Sequence, residues 1–187
     1  MLQWLLTPEP TTTQINTVSS VFRATGGDIK LMVRAILNSG WLPTAPAKFK
    51  RPYHLLTSGL RALDPSVTGT NRVSGQLDAM GHQLFEWETP YGYSDRIEYW
   101  AGNIITRWSF ATYLSNENNA TMSIDMSPYT GSTATITDAI NERLFGGEMS
   151  AALRTALINY LAGGTLTSTR IREGLALAMS SHEFQWY

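Results

Sequence analysis

The segment from Gly81 to Trp100 concentrates side chains that could do chemistry. Its ionisable candidates for metal binding or acid–base catalysis are His82, Glu86, Glu88 and Asp95. Their spacing matches no compact ligand pattern such as His-Glu-x-x-His, so the sequence predicts no metal site. Catalytic residues stay unassigned, because His82 and Glu86 are also explained as solvated side chains or turn caps, and this is the favoured interpretation.

The same segment is rich in aromatic residues and contains a predicted turn. Pro90 lacks a backbone donor and Gly92 is conformationally permissive, which argues against a continuous helix. Beside carboxylates, an aromatic turn could stack against a carbohydrate or a peptide. The favoured alternative is a buried plug, because aromatic side chains bury a large apolar area, and Trp87 is then expected to anchor the turn. The ligand-binding candidates are His82, Glu86, Trp87, Tyr93, Asp95 and Arg107.

Two of these candidates also have structural interpretations. Ser94 or Asp95 is predicted to cap a helix over residues 96–114, where its side chain can accept backbone N–H groups. Arg107 lies in an apolar stretch of that helix, where a guanidinium either reaches water or pairs with a buried acceptor. We expect it to reach back to the aromatic turn and bind the turn's carbonyl groups or Glu86.

Composition excludes several functional classes. The net charge of -1, from 14 Lys and Arg against 15 Asp and Glu, predicts no nucleic-acid partner. The absence of cysteine excludes disulfides, thiolate zinc sites and cysteine nucleophiles. The stretch "SVTGTNRVSG" lacks the Gly-Lys-Ser/Thr of a phosphate loop, and no cofactor is predicted. The cations of "KFKRP", Lys48 to Pro52, are interpreted as the solvated start of a helix with Phe49 turned inward.

Helical periodicity dominates the chain and predicts an all-α fold. We expect a compact multi-helix domain of about seven or eight helices, with an aromatic-rich turn and one long polar connection at residues 115–135. Trp100, Ile104 and Trp108 are predicted to line one buried helix face. The predicted helices fall within residues 10–27, 28–40, 52–64, 70–82, 96–114, 137–147, 148–164 and 167–187.

The length of 187 residues predicts a single helical domain over residues 1–187. An alternative is two sub-lobes, 1–114 and 136–187, joined by residues 115–135. The opening "MLQWLLTPEP" has too short an apolar run for a signal peptide, and no later segment reaches membrane-spanning length. As written, the chain is predicted to be soluble.

Five separated blocks of sequence resemble a known family. They are "GGDIKLMVRAIL", "AKFKRPYHLLTSGLRAL", "GHQLFEWETPYGYSD", "W.GN...RW.FA" at Trp100 to Ala111, and "LAMSSHEFQW". Their order and spacing are similar to the C-terminal part of the bacterial family named domain of unknown function 1800. The resemblance implies that a longer N-terminal half is missing here, and it carries over no catalytic residue.

The resemblance also implies a location and partners. Members look exported and tend to be encoded beside a family resembling the sulfatase and phosphatase superfamily, which implies a periplasmic or secreted role. The expected partner is the missing N-terminal half or another protein chain, and homo-oligomers are possible. A face that lost its partner is expected to expose apolar side chains near Trp4, Leu5, Leu6 and Trp41.

Two hypotheses about function follow. The first is a structural and interaction half of an exported helical protein. The alternative is a ligand-binding or catalytic lobe of an uncharacterised enzyme, with its site around residues 82–100. The two differ in whether the charged and aromatic side chains converge on a concave, water-accessible site.

Overall fold

Helices account for most of the chain in its computed structural model, which describes residues 1–69, 71–116, 118–119 and 122–187. Thr70 falls in the predicted helix 70–82 and lies outside the described residues. Glu117, Ala120 and Thr121 fall in the predicted connection 115–135 and also lie outside them. The all-α class is confirmed. The described residues contain ten α-helices, against the seven or eight expected.

The chain divides into two units, each with its own apolar cluster. Unit 1 comprises Met1–Phe49 and Tyr93–Tyr99, and unit 2 comprises Lys50–Gly92 and Trp100–Tyr187. The single domain over residues 1–187 and the sub-lobes 1–114 and 136–187 stay predictions. No helix among the described residues is long and apolar enough to cross a membrane.

Unit 1 is built around a helical pair. Thr11 caps one helix by accepting a hydrogen bond from the Gln14 amide, while the Gln14 side chain accepts from the Thr11 amide. Asp28 caps the next helix, which explains why both helix starts are readable from the sequence. The buried cluster contains Leu2, Leu6, Val18, Met32 and Ile36. The helices are α1 (Leu2–Leu5), α2 (Thr12–Thr25) and α3 (Ile29–Leu37), with 3-10 turns at Leu42–Thr44 and Ile97–Tyr99.

Unit 2 contains the larger core. Ser132, Ser150, Thr167 and Ser181 each cap a helix by accepting a hydrogen bond from the backbone N–H three residues on. The helices are α4 (Pro52–Leu63), α5 (Asn71–Ala79), α6 (Ile104–Asn116), α7 (Thr133–Phe145), α8 (Ala151–Ala162), α9 (Ser168–Ser180) and α10 (His182–Gln185), with a 3-10 turn at Ala101–Asn103. Both α6 and α8 pack against α9.

The predicted surface connection at residues 115–135 is wrong in part. Strand β3 (Met122–Ser123) pairs antiparallel with β1 (Ser66–Val67) and with β2 (Asn118–Asn119), giving the order β1-β3-β2. Met122, Ile124 and Tyr129 are buried in the core of unit 2. Strands of two residues are too short to leave a recognisable alternation, so the polar neighbours dominated the sequence pattern.

The helix predicted over residues 96–114 begins later than expected, at Ile104. The residues before it form the 3-10 turns at Ile97–Tyr99 and Ala101–Asn103. The buried face of this helix contains Arg107, Phe110, Ala111, Leu114 and Ser115. Trp100 is buried as predicted, but Trp108 is 47% exposed, so its assignment to the core is wrong.

Candidate functional site

The most exposed aromatic residues of unit 2 lie in residues 83–92, which we call the exposed loop. Its tip is a turn in which the Gly92 amide donates to the Thr89 carbonyl oxygen at 3.3 Å. Pro90 occupies the second position, which suits its fixed φ, and Gly92 has φ +73°. The Trp87 Nε1 donates to Thr89 Oγ1 at 3.0 Å. The turn predicted from "TPYGYSD" is therefore confirmed.

The aromatic side chains of this loop do not form the buried plug that we expected. Phe85 is 100% exposed and Tyr91 is 95% exposed. Phe85 also has φ +66°, in the left-handed region that non-glycine residues rarely adopt. A fully exposed phenyl ring buries no apolar area in the folded chain, and backbone outliers of this kind motivate functional hypotheses.

The exposed loop is acidic as well as aromatic. Glu86 and Glu88 are both exposed, and residues 83–92 contain no Lys, Arg or His. Leu84, at 46% exposed, adds apolar surface beside Phe85. The loop thus presents exposed apolar side chains beside two exposed carboxylates.

Trp87, within the exposed loop, and His82, directly before it, both contact Trp100. The Trp87 ring is half-buried, with its centroid 6.4 Å from that of Trp100. His82 stacks on Trp100 with a centroid separation of 5.2 Å and is buried, so its interpretation as a solvated residue is wrong. Burial lowers the pKa of His82 to about 4, helped by the charges of Arg51 and His54. His82 is therefore neutral at pH 7.

Arg107 is fully buried, and the two side-chain hydrogen bonds described for it end on residues other than those we predicted. Its Nε donates to Gln185 Oε1 at 2.5 Å, and its Nη2 donates to the Lys50 carbonyl oxygen at 2.6 Å. Neither of these two bonds ends on the exposed loop, and Glu86 itself is exposed to solvent. Gln185 is held in turn, because its Nε2 donates to the Met179 carbonyl oxygen at 2.8 Å. Arg107 thus fastens the start of α4 to α10.

Tyr93 and Asp95 belong to unit 1. Tyr93 is half-buried. Asp95 does not cap α6, because that helix begins nine residues later at Ile104, and its Oδ2 lies 3.0 Å from Lys48 Nζ. The Ser94 hydroxyl accepts from the Arg96 amide at 3.1 Å, which closes a local turn instead of capping a helix.

The cations of "KFKRP" are not solvated as predicted. Lys48, Lys50 and Arg51 are each no more than 9% exposed. Lys48 also donates to the carbonyl oxygens of Gln3 and Trp4, at the end of α1. Phe49 is buried, as expected.

Lys50 differs from Lys48 in its surroundings. Its Nζ lies 4.2 Å from the centre of the Phe184 ring, and burial together with the charge of Arg107 lowers its pKa to about 8.

The predicted site residues therefore separate into distinct environments. Within unit 2, His82 and Trp87 both contact Trp100, Glu86 faces solvent, and Arg107 binds Gln185 and Lys50. No group of three or more His, Asp or Glu in the described part of the chain could hold a metal ion. The sequence missed Lys50 and Gln185 because they lie 57 and 78 positions from Arg107, and no local pattern joins them.

Comparison with known proteins identifies the family. The family model described as "Protein of unknown function (DUF1800)" matches residues 1–186. The chain therefore belongs to this family, and the resemblance found in the five sequence blocks is confirmed. Searches among curated proteins and among solved structures found no match.

Proposed function

We propose that this DUF1800 protein is a protein-binding module, and that its exposed loop inserts into an apolar groove bordered by basic residues on a partner protein. The full exposure of Phe85 carries this proposal. Aromatic side chains at the centre of an interface supply much of its binding energy. Phe85 also has a left-handed backbone, and strained positions of this kind cluster at ligand-binding sites.

Charge complementarity defines the partner's chemistry. Glu86 and Glu88 flank Trp87, and the exposed loop carries no cation to offset them. A groove with Lys or Arg at its rim would attract this loop and orient it, whereas an acidic surface would repel it. The N-terminal half that longer family members are expected to carry is the first protein to titrate. A periplasmic or secreted location, implied by the same resemblance, is part of this proposal.

The ligand-binding or catalytic alternative has less support. An acid–base site needs a titratable group that reaches the substrate at working pH. His82 is buried and neutral at pH 7, and two donors of Arg107 are bonded to Gln185 and Lys50. A Trp87→Ala variant that keeps its melting temperature but loses a small ligand would favour this alternative.

Site-specific cross-linking tests the proposal in cells of the source organism. Phe85 is replaced by p-benzoylphenylalanine, and Ile105, which is 72% exposed on α6, receives the same replacement as a control. We expect the probe at position 85, and not at 105, to capture one defined protein, which is then purified.

The purified partner decides the outcome. We expect Phe85→Ser and Tyr91→Ser each to weaken its binding by about tenfold or more without lowering the melting temperature, because both side chains are exposed. Glu86→Lys should weaken binding most at low salt, since screening removes the effect. A partner that binds Phe85→Ser as tightly as the wild type would refute the proposal.

A further inference from the structure

A second concave surface lies on unit 2, between α6, α8 and α9, and we call it the helical groove. Its volume is about 710 Å³, within the range of small-molecule sites. It shares no lining residue with the exposed loop. On α6 it is lined by Trp108, Thr112 and Asn116, whose four-residue spacing carries it along two helical turns.

Small side chains on α9 create the groove. Ala176 and Ser180 form part of its floor, while Leu175 and Met179 on the adjacent face of α9 are buried in the core. Both α6 and α8 pack against α9 and leave the floor uncovered between them. The groove therefore belongs to the packed helices of unit 2.

One wall of the groove is held in a fixed orientation. The Tyr160 hydroxyl donates to Glu173 Oε2 at 2.6 Å. The Arg170 guanidinium lies over the Tyr160 ring, 4.6 Å from its centre, and its Nε donates to the Tyr160 carbonyl oxygen at 3.0 Å. Arg170 thus binds the last turn of α8 and covers one face of the Tyr160 ring.

The charge and apolar character of the groove define its ligand. Glu173 is the only carboxylate, and no basic side chain occurs among the described lining residues. Trp108 and Leu177 are 47% and 40% exposed and offer apolar contact at the rim. A cationic head beside Glu173 would gain charge attraction and aromatic contact at the rim, whereas an anionic head would be repelled by the Glu173 carboxylate.

We propose that the helical groove binds an amphiphilic organic cation, with its apolar chain along α9 and its ammonium head beside Glu173. This site is independent of the protein-binding function proposed for the exposed loop. Its ligand class is an alkyl or aryl chain that ends in an amine or a quaternary ammonium.

Calorimetric titration with two matched probes tests the proposal. Dodecyltrimethylammonium and dodecanoate have similar apolar chains and opposite charges, and both are used below their micelle concentrations. We expect the cation to bind with a stoichiometry of about one and about tenfold more tightly than the anion. Glu173→Gln should remove this preference and leave the two affinities similar, because the apolar floor is unchanged.

Two variants that fill the groove locate the binding. Thr112 and Ala156 are exposed lining residues on α6 and α8, so Thr112→Trp and Ala156→Trp should keep the fold and abolish binding of the cation. Ile105→Ser, on the same helix but outside the lining, should leave binding unchanged. Absence of cation binding, equal or tighter binding of dodecanoate, or binding that survives both Trp variants would overturn the proposal. Light scattering accompanies the titration, and heat explained by dimerisation alone would also overturn it.

Discussion

Arg107 is a fully buried cation whose two described side-chain hydrogen bonds end on neutral acceptors. Those acceptors are the Gln185 amide oxygen and the Lys50 carbonyl oxygen. A hydrogen bond from a charged donor contributes more than one between neutral groups, and a buried acceptor left without its donor is costly. The Lys50 amide also donates to the Gln185 carbonyl oxygen at 2.9 Å, so a backbone hydrogen bond joins the two residues that Arg107 binds.

Removing the guanidinium should therefore loosen the contact between Lys50 and Gln185. We expect Arg107→Leu to lower the free energy of unfolding by about 2–4 kcal/mol, measured by urea titration. Arg107→Lys should recover only part of the loss, because an ammonium lacks the planar fork that reaches both acceptors. Hydrogen exchange should accelerate at the Lys50 amide and stay unchanged in the exposed loop.

A surface arginine provides the matched control. Arg154 forms an ion pair with Asp138 at 2.6 Å, and its side chain is 38% exposed. Exposed ion pairs contribute little, so Arg154→Leu should cost less than about 1 kcal/mol. Equal losses in the two leucine variants would contradict the structural role given to Arg107.

His82 should make stability depend on pH. Its pKa falls from 6.5 in the unfolded chain to about 4 in the folded one, because burial on Trp100 disfavours the charged ring. Between these values the unfolded state binds more protons, so stability is lost as the pH falls from about 6.5 to about 4. The loss should approach about 1.4 kcal/mol per pH unit within this window.

Urea titrations at several pH values measure this loss. His82→Phe keeps an aromatic ring against Trp100 and removes the titrating group, so its stability should fall less between pH 6.5 and pH 4.5. A slope in His82→Phe equal to that of the wild type would assign the pH dependence to other groups.

The elements differ in how far their sequence reveals them. Thr11 and Asp28 cap their helices through atoms three residues away, and such local chemistry is readable from the sequence. β3 depends on pairing with β1, which lies more than fifty positions earlier, so no local signal marked it. The candidate site shows the same contrast between features that the local sequence predicts and features that it does not. The turn at Pro90 was predictable. The left-handed backbone at Phe85 was not, because the residue there is neither glycine nor asparagine, the types that usually adopt it.

The packing of α4 against α6 depends on Gly59. A Cβ built there would lie 2.8 Å from Leu114 Cδ2 and 3.4 Å from Phe110 Cε1, and both partners are buried. We expect Gly59→Ala to lower the free energy of unfolding by about 1–3 kcal/mol, because the overpacking outweighs the gain in helix propensity.

A second glycine isolates the helix propensity from the packing. Gly75 lies in α5, and a Cβ there would meet nothing within 4 Å. Gly75→Ala should therefore raise the free energy of unfolding by about 0.5–1 kcal/mol. The prediction is contradicted if denaturant titration shows that both substitutions stabilise the protein.

At the scale of the whole molecule, the two units have unequal cores. The described cluster of unit 1 contains Leu2, Leu6, Val18, Met32 and Ile36, and that of unit 2 is several times larger. Unit 1 also leaves Trp4 61%, Phe22 53% and Ile29 68% exposed. Of the positions expected to expose apolar surface, Trp4 does so, whereas Leu6 is buried and both Leu5 and Trp41 are half-buried against the unit 1 cluster. Because burial of apolar area is the main source of stability, unit 1 should open more readily than unit 2.

Native-state hydrogen exchange measures this difference directly. We expect amides in α2 and α3 to have protection factors about 100-fold lower than those in α6 and α9. Ile36 is fully buried in unit 1, so Ile36→Ala should lower protection further in α2 and α3 and leave α6 and α9 unchanged. If instead all four helices exchange with one free energy and respond together to Ile36→Ala, the chain opens as a single cooperative unit. The small core of unit 1 would then not determine the stability of α2 and α3.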